Sequence, residues 1–209
     1  AQRNSAFQQA LNAADANVCD GMPLVWLGKL LGRPHVTRIY GPSLMLRVCN
    51  MAEQNRMKIF LFGTTPATLG KLSFQLKKQF PKLIIAGVHA PPFAPFTKEE
   101  LTRMYRLVNA SGAQIVFVGL STPKQEQWMF HAKRHLRSNV SIGVGAAFDF
   151  NSGTKKQAPV WMSNLGLEWL FRFTQEPKRL GKRYAVIWLR VLQSAVRVVV
   201  RKIRVFLFA

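Results

Sequence analysis

From its second quarter onward the chain alternates short apolar runs with longer amphipathic stretches. Lys58-Ile-Phe-Leu-Phe-Gly63, Leu83 to Val88, Ile115 to Gly119 and Val140 to Gly145 are rich in β-branched, aliphatic and aromatic residues, which predicts buried strands. Between them, Pro66 to Phe80, Thr97 to Ala110 and Pro123 to Leu136 carry helical spacing and helix-start residues. Upstream, Ser5 to Asp15 places Phe7, Ala10, Leu11 and Ala14 on one side of a helix. Ala16 to Cys19 reads as a short strand ending at Asp20-Gly21, followed by helices over Pro23 to Leu31 and Pro42 to Asn55. This alternation predicts an α/β fold, a Rossmann-like parallel sheet with helices on both faces. His89 to Phe96, with three prolines, reads as an irregular loop. After Ser152 no further strand is evident, and Val160 to Thr174 and Pro177 to Phe206 predict a C-terminal helical appendage. The expected division is residues 1–157 for the α/β domain and 158–209 for the appendage.

The last predicted helix carries Arg183, Arg190, Arg197, Arg201 and Arg204, whose spacing puts them on one stripe against Ile, Leu, Val, Trp and Phe. Arginines interrupt every long apolar run, so a spanning helix is not expected. A basic stripe flanked by apolar residues suits a helix lying in the interface of an anionic membrane. The competing reading is a helix packed on another subunit, which leaves a homo-oligomer open.

Composition sharpens the choice of partner. Thirty Lys and Arg against nine Asp and Glu give a formal net charge of +21, which favours an anionic partner: nucleic acid, anionic lipid or a nucleotide–sugar diphosphate. No recognised DNA or RNA motif is present, and the arginines concentrate at one end. A basic α/β nucleic-acid-binding module without enzymatic activity stays as the alternative. No Gly-x-Gly-x-x-Gly follows an early strand, which argues against a dinucleotide-dependent dehydrogenase. Cys19 and Cys49 lie in apolar surroundings and make no metal or redox spacing; they read as free thiols in a reducing compartment. The residues Ala1-Gln2-Arg3-Asn4 lack the apolar region of a signal peptide.

Candidate chemistry concentrates where strands meet helices. Gln114 to Trp128 reads as strand, Leu-Ser-Thr loop and helix start, with Pro123, Lys124, Gln125 and Glu126 in the first turn. Free backbone N–H groups and the positive dipole end make such a junction suitable for an anion, although the same residues also suit an ordinary solvated helix start. Gly119 and Gly145 permit close backbone approach to a ligand, and Gly63-Thr64-Thr65 is a weaker phosphate-adjacent turn. Asp20 is expected at the carboxyl end of a strand, where open α/β sheets place ligands, with Gly21 leaving room beside it; Asp-Gly is equally a common turn. No Asp-x-Asp motif is present to hold a metal, so a departing diphosphate would be met by cations such as Arg172, Arg179, Lys182 and Arg183, unless these merely extend a basic surface. His131 and His135 have ligand spacing but no evident third ligand and basic neighbours; no metal site and no cofactor are expected.

The order and spacing of several segments carry a resemblance. Asp20-Gly21-Met22-Pro23, Gly119 to Glu126, Gly143-Val-Gly-Ala-Ala-Phe-Asp149-Phe150, Ala158-Pro-Val-Trp161, Gly166-Leu-Glu-Trp-Leu-Phe-Arg172 and Glu176-Pro177 with Arg179 closely resemble the WecG/TagA/CpsF family of bacterial glycosyltransferases, from about Ala1 to about Tyr184. The resemblance implies an inverting, metal-independent transferase in residues 1–157. It moves a sugar of the N-acetylmannosamine, its uronic acid, or glucose type from UDP to a polyprenyl-pyrophosphate-linked saccharide, at the cytoplasmic face of the inner membrane, for cell-surface polysaccharide. It implies Asp20 as catalytic base, with Gly119, Pro123, Lys124, Gln125, Glu126, Gly145 and Asp149 lining the donor pocket, and appendage arginines Arg172, Arg179 and Arg183 reaching the active site; Gly21, Gly63 and Thr64 join the candidate substrate-binding residues from the local reading above. Two departures stand out: Ser43 follows Gly41-Pro42 where the family commonly has Asp, and the family's first strand and helix, with a Thr/Asn loop, are expected upstream of Ser5.

Overall fold

The structure is a computed structural model that describes residues 5–93, 95–138 and 140–178, and beyond them 180–181, 184–186, 188–189, 192–193 and 196. Two compact units divide the chain: the residues up to Asn17 with Gly41–Lys156, and Val18–Tyr40 with the residues from Gln157 on.

The first unit is built on four parallel strands, β1 (Lys58–Gly63), β2 (Ile84–His89), β3 (Ile115–Gly119) and β4 (Val140–Gly143), in the order β2-β1-β3-β4. In-register pairs run from Ile59 opposite Ile115 to Gly63 opposite Gly119, so β1 and β3 end at the same level. Every residue of β3, and every residue of β1 after Lys58, is buried. Alternation along these two strands sorts the core into two layers. Ile59, Leu61, Ile115 and Phe117 face α3 (Gly41–Gln54) and α4 (Pro66–Gln79) through Met45, Cys49, Leu69, Leu72 and Leu76. Phe60, Phe62, Val116 and Val118 face α5 (Lys98–Ala110) and α6 (Lys124–Ala132) through Met104, Tyr105, Val108 and Trp128. Fully buried rings such as Phe60, Phe62 and Phe117 each contribute about 1.5–3 kcal/mol through the apolar area they remove from water. This is the α/β architecture expected from the pattern, with helices on both faces.

Local signals explain the helix ends. Thr65 caps α4 by accepting the Thr68 N–H at 3.2 Å, with Pro66 next. Thr97 and Glu100 form a reciprocal capping box at the start of α5. The N-terminal helix α1 (Ser5–Asn12) lies against α6, where Lys133 reaches Asp15 at 2.9 Å and holds its carboxyl below the ordinary carboxylate range.

Three element assignments are corrected. Ala16 to Cys19 is not a strand: Ala16, Asn17 and Val18 are exposed, and the Cys19 carbonyl has one backbone bond, from Ile39 N–H at 2.9 Å, rather than a ladder. Asp20 therefore follows an irregular segment, not the end of a sheet strand. β4 stops at Gly143: the Val144 N–H makes the last ladder bond, to the Val118 carbonyl at 2.9 Å, and the Gly145 N–H leaves the ladder for Gln125 Oε1 at 2.8 Å. A short helix, α7 (Ala147–Asn151), follows it. The helix expected over Val160 to Thr174 is two helices, α8 (Val160–Asn164) and α9 (Glu168–Gln175), separated at Gly166, whose φ of +74° suits glycine. Most of the helix expected over Pro177 to Phe206 lies outside the described residues, including Arg183, Arg190, Arg197, Arg201 and Arg204.

Candidate active site

The carboxyl ends of β1, β3 and β4 carry the glycines singled out from sequence, and the first unit brings them together. Gly63 has φ +133°, and a Cβ there would lie 2.5 Å from the carbonyl carbon and oxygen of Gly119. Thr64, itself at φ +51°, donates its N–H to that carbonyl at 3.2 Å. The strand ends thus meet backbone to backbone. Gly119 is covered by Phe148 of α7, whose ring would be 2.4 Å from an added Cβ.

The first turn of α6 closes the same corner. Its N-cap is Pro123, after a cis Thr122–Pro123 peptide. Gln125 is buried, and its Oε1 accepts the Gly145 N–H at 2.8 Å. Gly143 makes room for this amide, since a Cβ there would lie 2.5 Å from Gln125 Nε2. Gly145, at φ +49°, completes the turn. Glu126 Oε1 accepts from Thr122 Oγ1 at 2.9 Å and from Gln125 Nε2 at 3.4 Å. Its second oxygen, Oε2, is buried without a hydrogen-bond partner. A buried acceptor left in that state is open to a donor on a bound molecule, such as a hydroxyl. Lys124 Nζ donates to the Phe93 carbonyl at 2.7 Å, tying the proline-rich loop to α6. Asp149, on α7, pairs with Lys155 at 3.4 Å.

The second unit holds Asp20, which is exposed, and Gly21, the N-cap of α2 (Met22–Leu30). The Asp20 carbonyl accepts from Arg38 Nε at 2.6 Å. The same guanidinium donates to the Ser163 carbonyl at 3.3 Å and pairs through Nη2 with Glu168 Oε2, while lying over the Tyr40 ring at 4.6 Å. Glu168 is buried, and its other oxygen lies 3.7 Å from Arg172 Nε one turn along α9. Burial, with Glu168 adding to it, pushes the Tyr40 phenol up to about 12. One guanidinium therefore fixes the backbone of the candidate base to the helix that carries Arg172.

Set against known proteins, residues 1–205 match the glycosyl transferase WecG/TagA/CpsF family. The chain belongs to that family. Over 187 residues, 89% of this chain and 70% of the relative, it is 31% identical to the N-acetylglucosaminyldiphosphoundecaprenol N-acetyl-β-D-mannosaminyltransferase of Bacillus spizizenii. Proteins of the same name from Staphylococcus aureus strains MW2 and NCTC 8325 are 29% identical over 182 residues, 87% of this chain and 70% of each relative. This chain is accordingly a glycosyltransferase.

Of the residues expected to serve this glycosyltransferase, Gly63, Thr64, Gly119, Pro123, Gln125, Glu126 and Gly145 gather at one corner of the first unit, with Asp149 on the adjoining α7. Asp20, Gly21 and Arg172 belong to the second unit. Arg179, Lys182 and Arg183 lie outside the described residues. His131 and His135 are both exposed, and His135 stacks on Tyr105 at 5.0 Å. Arg38 is the residue that pattern reasoning missed. Its signal was indirect: Glu168, amid Gly-Leu-Glu-Trp-Leu-Phe, is a carboxylate in an apolar helix and requires a cationic partner.

Proposed function

We propose that this enzyme transfers a sugar from a UDP-sugar, of the N-acetylmannosamine, N-acetylmannosaminuronic acid or glucose type, to a saccharide carried on a polyprenyl diphosphate. The product would feed a cell-surface polysaccharide. The observation that supports this most is the corner formed by Gly63, Gly119 and Gly145 with Gln125 and Glu126, at the carboxyl edge of a parallel sheet, where α/β folds receive nucleotides. The relatives' names give the acceptor class. In this reading backbone N–H groups of the turns and α6 meet the nucleotide, and the open oxygen of Glu126 accepts a donor hydroxyl.

Asp20 removes the proton from the acceptor hydroxyl as its oxygen attacks the anomeric carbon. The bond from that carbon to the β-phosphate oxygen breaks, UDP leaves, and the anomeric configuration inverts. Arg172, Arg179 and Arg183 offset the charge that develops on the leaving diphosphate. The enzyme works as a peripheral protein at the inner face of the membrane, held by its basic C-terminal residues. No helix among the described residues is long and apolar enough to cross a membrane.

Asp20→Asn tests the base. Transfer should be abolished while UDP binding, read by calorimetry, stays near wild type; unchanged turnover refutes the assignment. Added chelator should leave the rate unaltered, and strict dependence on a divalent ion would overturn the arginine account. Replacing Arg190, Arg197, Arg201 and Arg204 by Gln in the full chain should weaken sedimentation with phosphatidylglycerol-containing vesicles. Unchanged sedimentation would remove the C-terminal residues from membrane binding.

A further inference from the structure

Helix α2 is apolar almost all round yet covered on part of its circumference only: Met22, Pro23, Leu27, Gly28 and Leu30 are half-buried, whereas Leu24 and Trp26 are exposed. Of its nine residues, Met-Pro-Leu-Val-Trp-Leu-Gly-Lys-Leu, Lys29 alone is charged and Val25 alone is buried. Leu24 is 52% exposed, Trp26 45% and Leu31, its C-cap, 54%. A helix apolar on every side belongs in an apolar environment. At about 1.5 Å per residue it is less than half the length needed to span a bilayer, so it is suited to lie in an interface rather than to cross it.

Its surroundings select the occupant. Lys29 stands in the last turn, and Arg33 and His35 follow. In sequence the second unit carries thirteen Lys and Arg against Asp20, Glu168 and Glu176. A second copy of so basic a chain would meet like charge with like, whereas an anionic leaflet supplies both the apolar layer and the counter-charge.

We propose that α2 is a membrane-docking helix lying in the interface of an anionic leaflet. Leu24 and Leu31, seven residues apart on one face, enter the acyl boundary, and Lys29 and Arg33 reach the lipid phosphates. The helix is braced for this role. Gly166 packs so tightly on it that an added Cβ would lie 2.9 Å from Met22 and 3.1 Å from Trp26. Arg38 joins the Asp20 carbonyl to Glu168, two residues beyond Gly166. Immersion of α2 therefore sets the depth of Asp20, two residues before it, relative to the headgroups. This inference rests on the membrane reading above and adds a second, independent contact to the C-terminal one.

The test uses the full chain with vesicles of phosphatidylethanolamine and phosphatidylglycerol. Leu24→Glu/Leu31→Glu, both at exposed positions where the fold tolerates change, should lower partitioning by about tenfold or more. Phe74→Glu, at a side chain 67% exposed on α4 of the first unit, should leave it unaltered. Leu24→Trp, on the immersed face, should add a fluorescence component that brominated lipid quenches. Wild-type partitioning by the Leu24/Leu31 variant, or a Leu24→Trp component that brominated lipid leaves unquenched, overturns the inference. If the C-terminal Arg→Gln variant nevertheless loses binding, the broader membrane reading survives that failure. Loss of self-association in lipid-free solution with vesicle binding intact would make a second copy the occupant and equally overturn it.

Discussion

Replacing Arg38 by Met probes the network that holds Asp20 in place. The Glu168 side chain is 9% exposed and that of Arg38 17%, so the pair is largely shielded from water. Removing one member of a buried pair costs about 3–5 kcal/mol, because the other charge stays buried without compensation. Arg172 remains 3.7 Å from Glu168, and Arg38 is partly exposed, which places the expected loss near the lower bound, about 3 kcal/mol. In a chain of this length each kcal/mol lowers Tm by about 2–4 °C, so thermal unfolding followed by circular dichroism should shift by about 6–12 °C. Arg38→Met/Glu168→Met removes both charges in favour of apolar side chains and should recover at least half of that loss, leaving the double variant about 1.5 kcal/mol or less below wild type. Arg38→Lys should rescue little, since one ammonium cannot serve three acceptors in the plane of a guanidinium. Turnover should fall in Arg38→Met because the Asp20 backbone loses its donor. A double variant as unstable as the sum of its parts would refute the pairing argument.

Gly63→Ala should destabilise by about 3 kcal/mol or more, combining an unfavourable positive φ with a Cβ driven into the Gly119 backbone; a urea midpoint within error of wild type would contradict the geometry. Gly70→Ala, in the interior of α4 with open space around the new methyl, should instead stabilise by about 0.5–1 kcal/mol in the same assay. Burial pushes the Cys49 thiol and the Tyr40 phenol each up to about 12, above their unfolded values near 9 and 10. The stability they lend is complete below about pH 9 and is lost as pH rises toward 12. Urea midpoints should decline across that window, and Cys49→Ala/Tyr40→Phe should flatten the decline. Thr97→Ala should cost about 1 kcal/mol by opening the capping box of α5, as read by the same denaturation.

The parts of the fold legible from sequence are those where one local rule and the tertiary environment agree. Ile-Phe-Leu-Phe at β1 and Ile-Val-Phe-Val at β3 are apolar on both faces because both faces are covered, so their composition reports their place at the centre of the sheet. Thr97 and Glu100 announce α5 through their spacing alone. Ala16 to Cys19 misled because a strand needs a ladder partner, which no local pattern encodes. Gly166 divided an otherwise helical run through its backbone angle and its packing on Met22 and Trp26. The glycine corner was visible as strand ends. That Gln125 is fastened to Gly145, rather than standing clear, depends on β4 arriving beside α6. Arg38 stayed hidden because its partners, Ser163 and Glu168, lie more than a hundred residues away in sequence.

The abutment of Gly63 on Gly119 limits how the proposed donor site can be redesigned. A seam with no space for even a methyl group is incompressible, and libraries that randomise those glycines would return mostly misfolded protein. Variation is better aimed at Thr64, the residue after the seam, and at Thr122 and Glu126, which pair with each other at the first turn of α6.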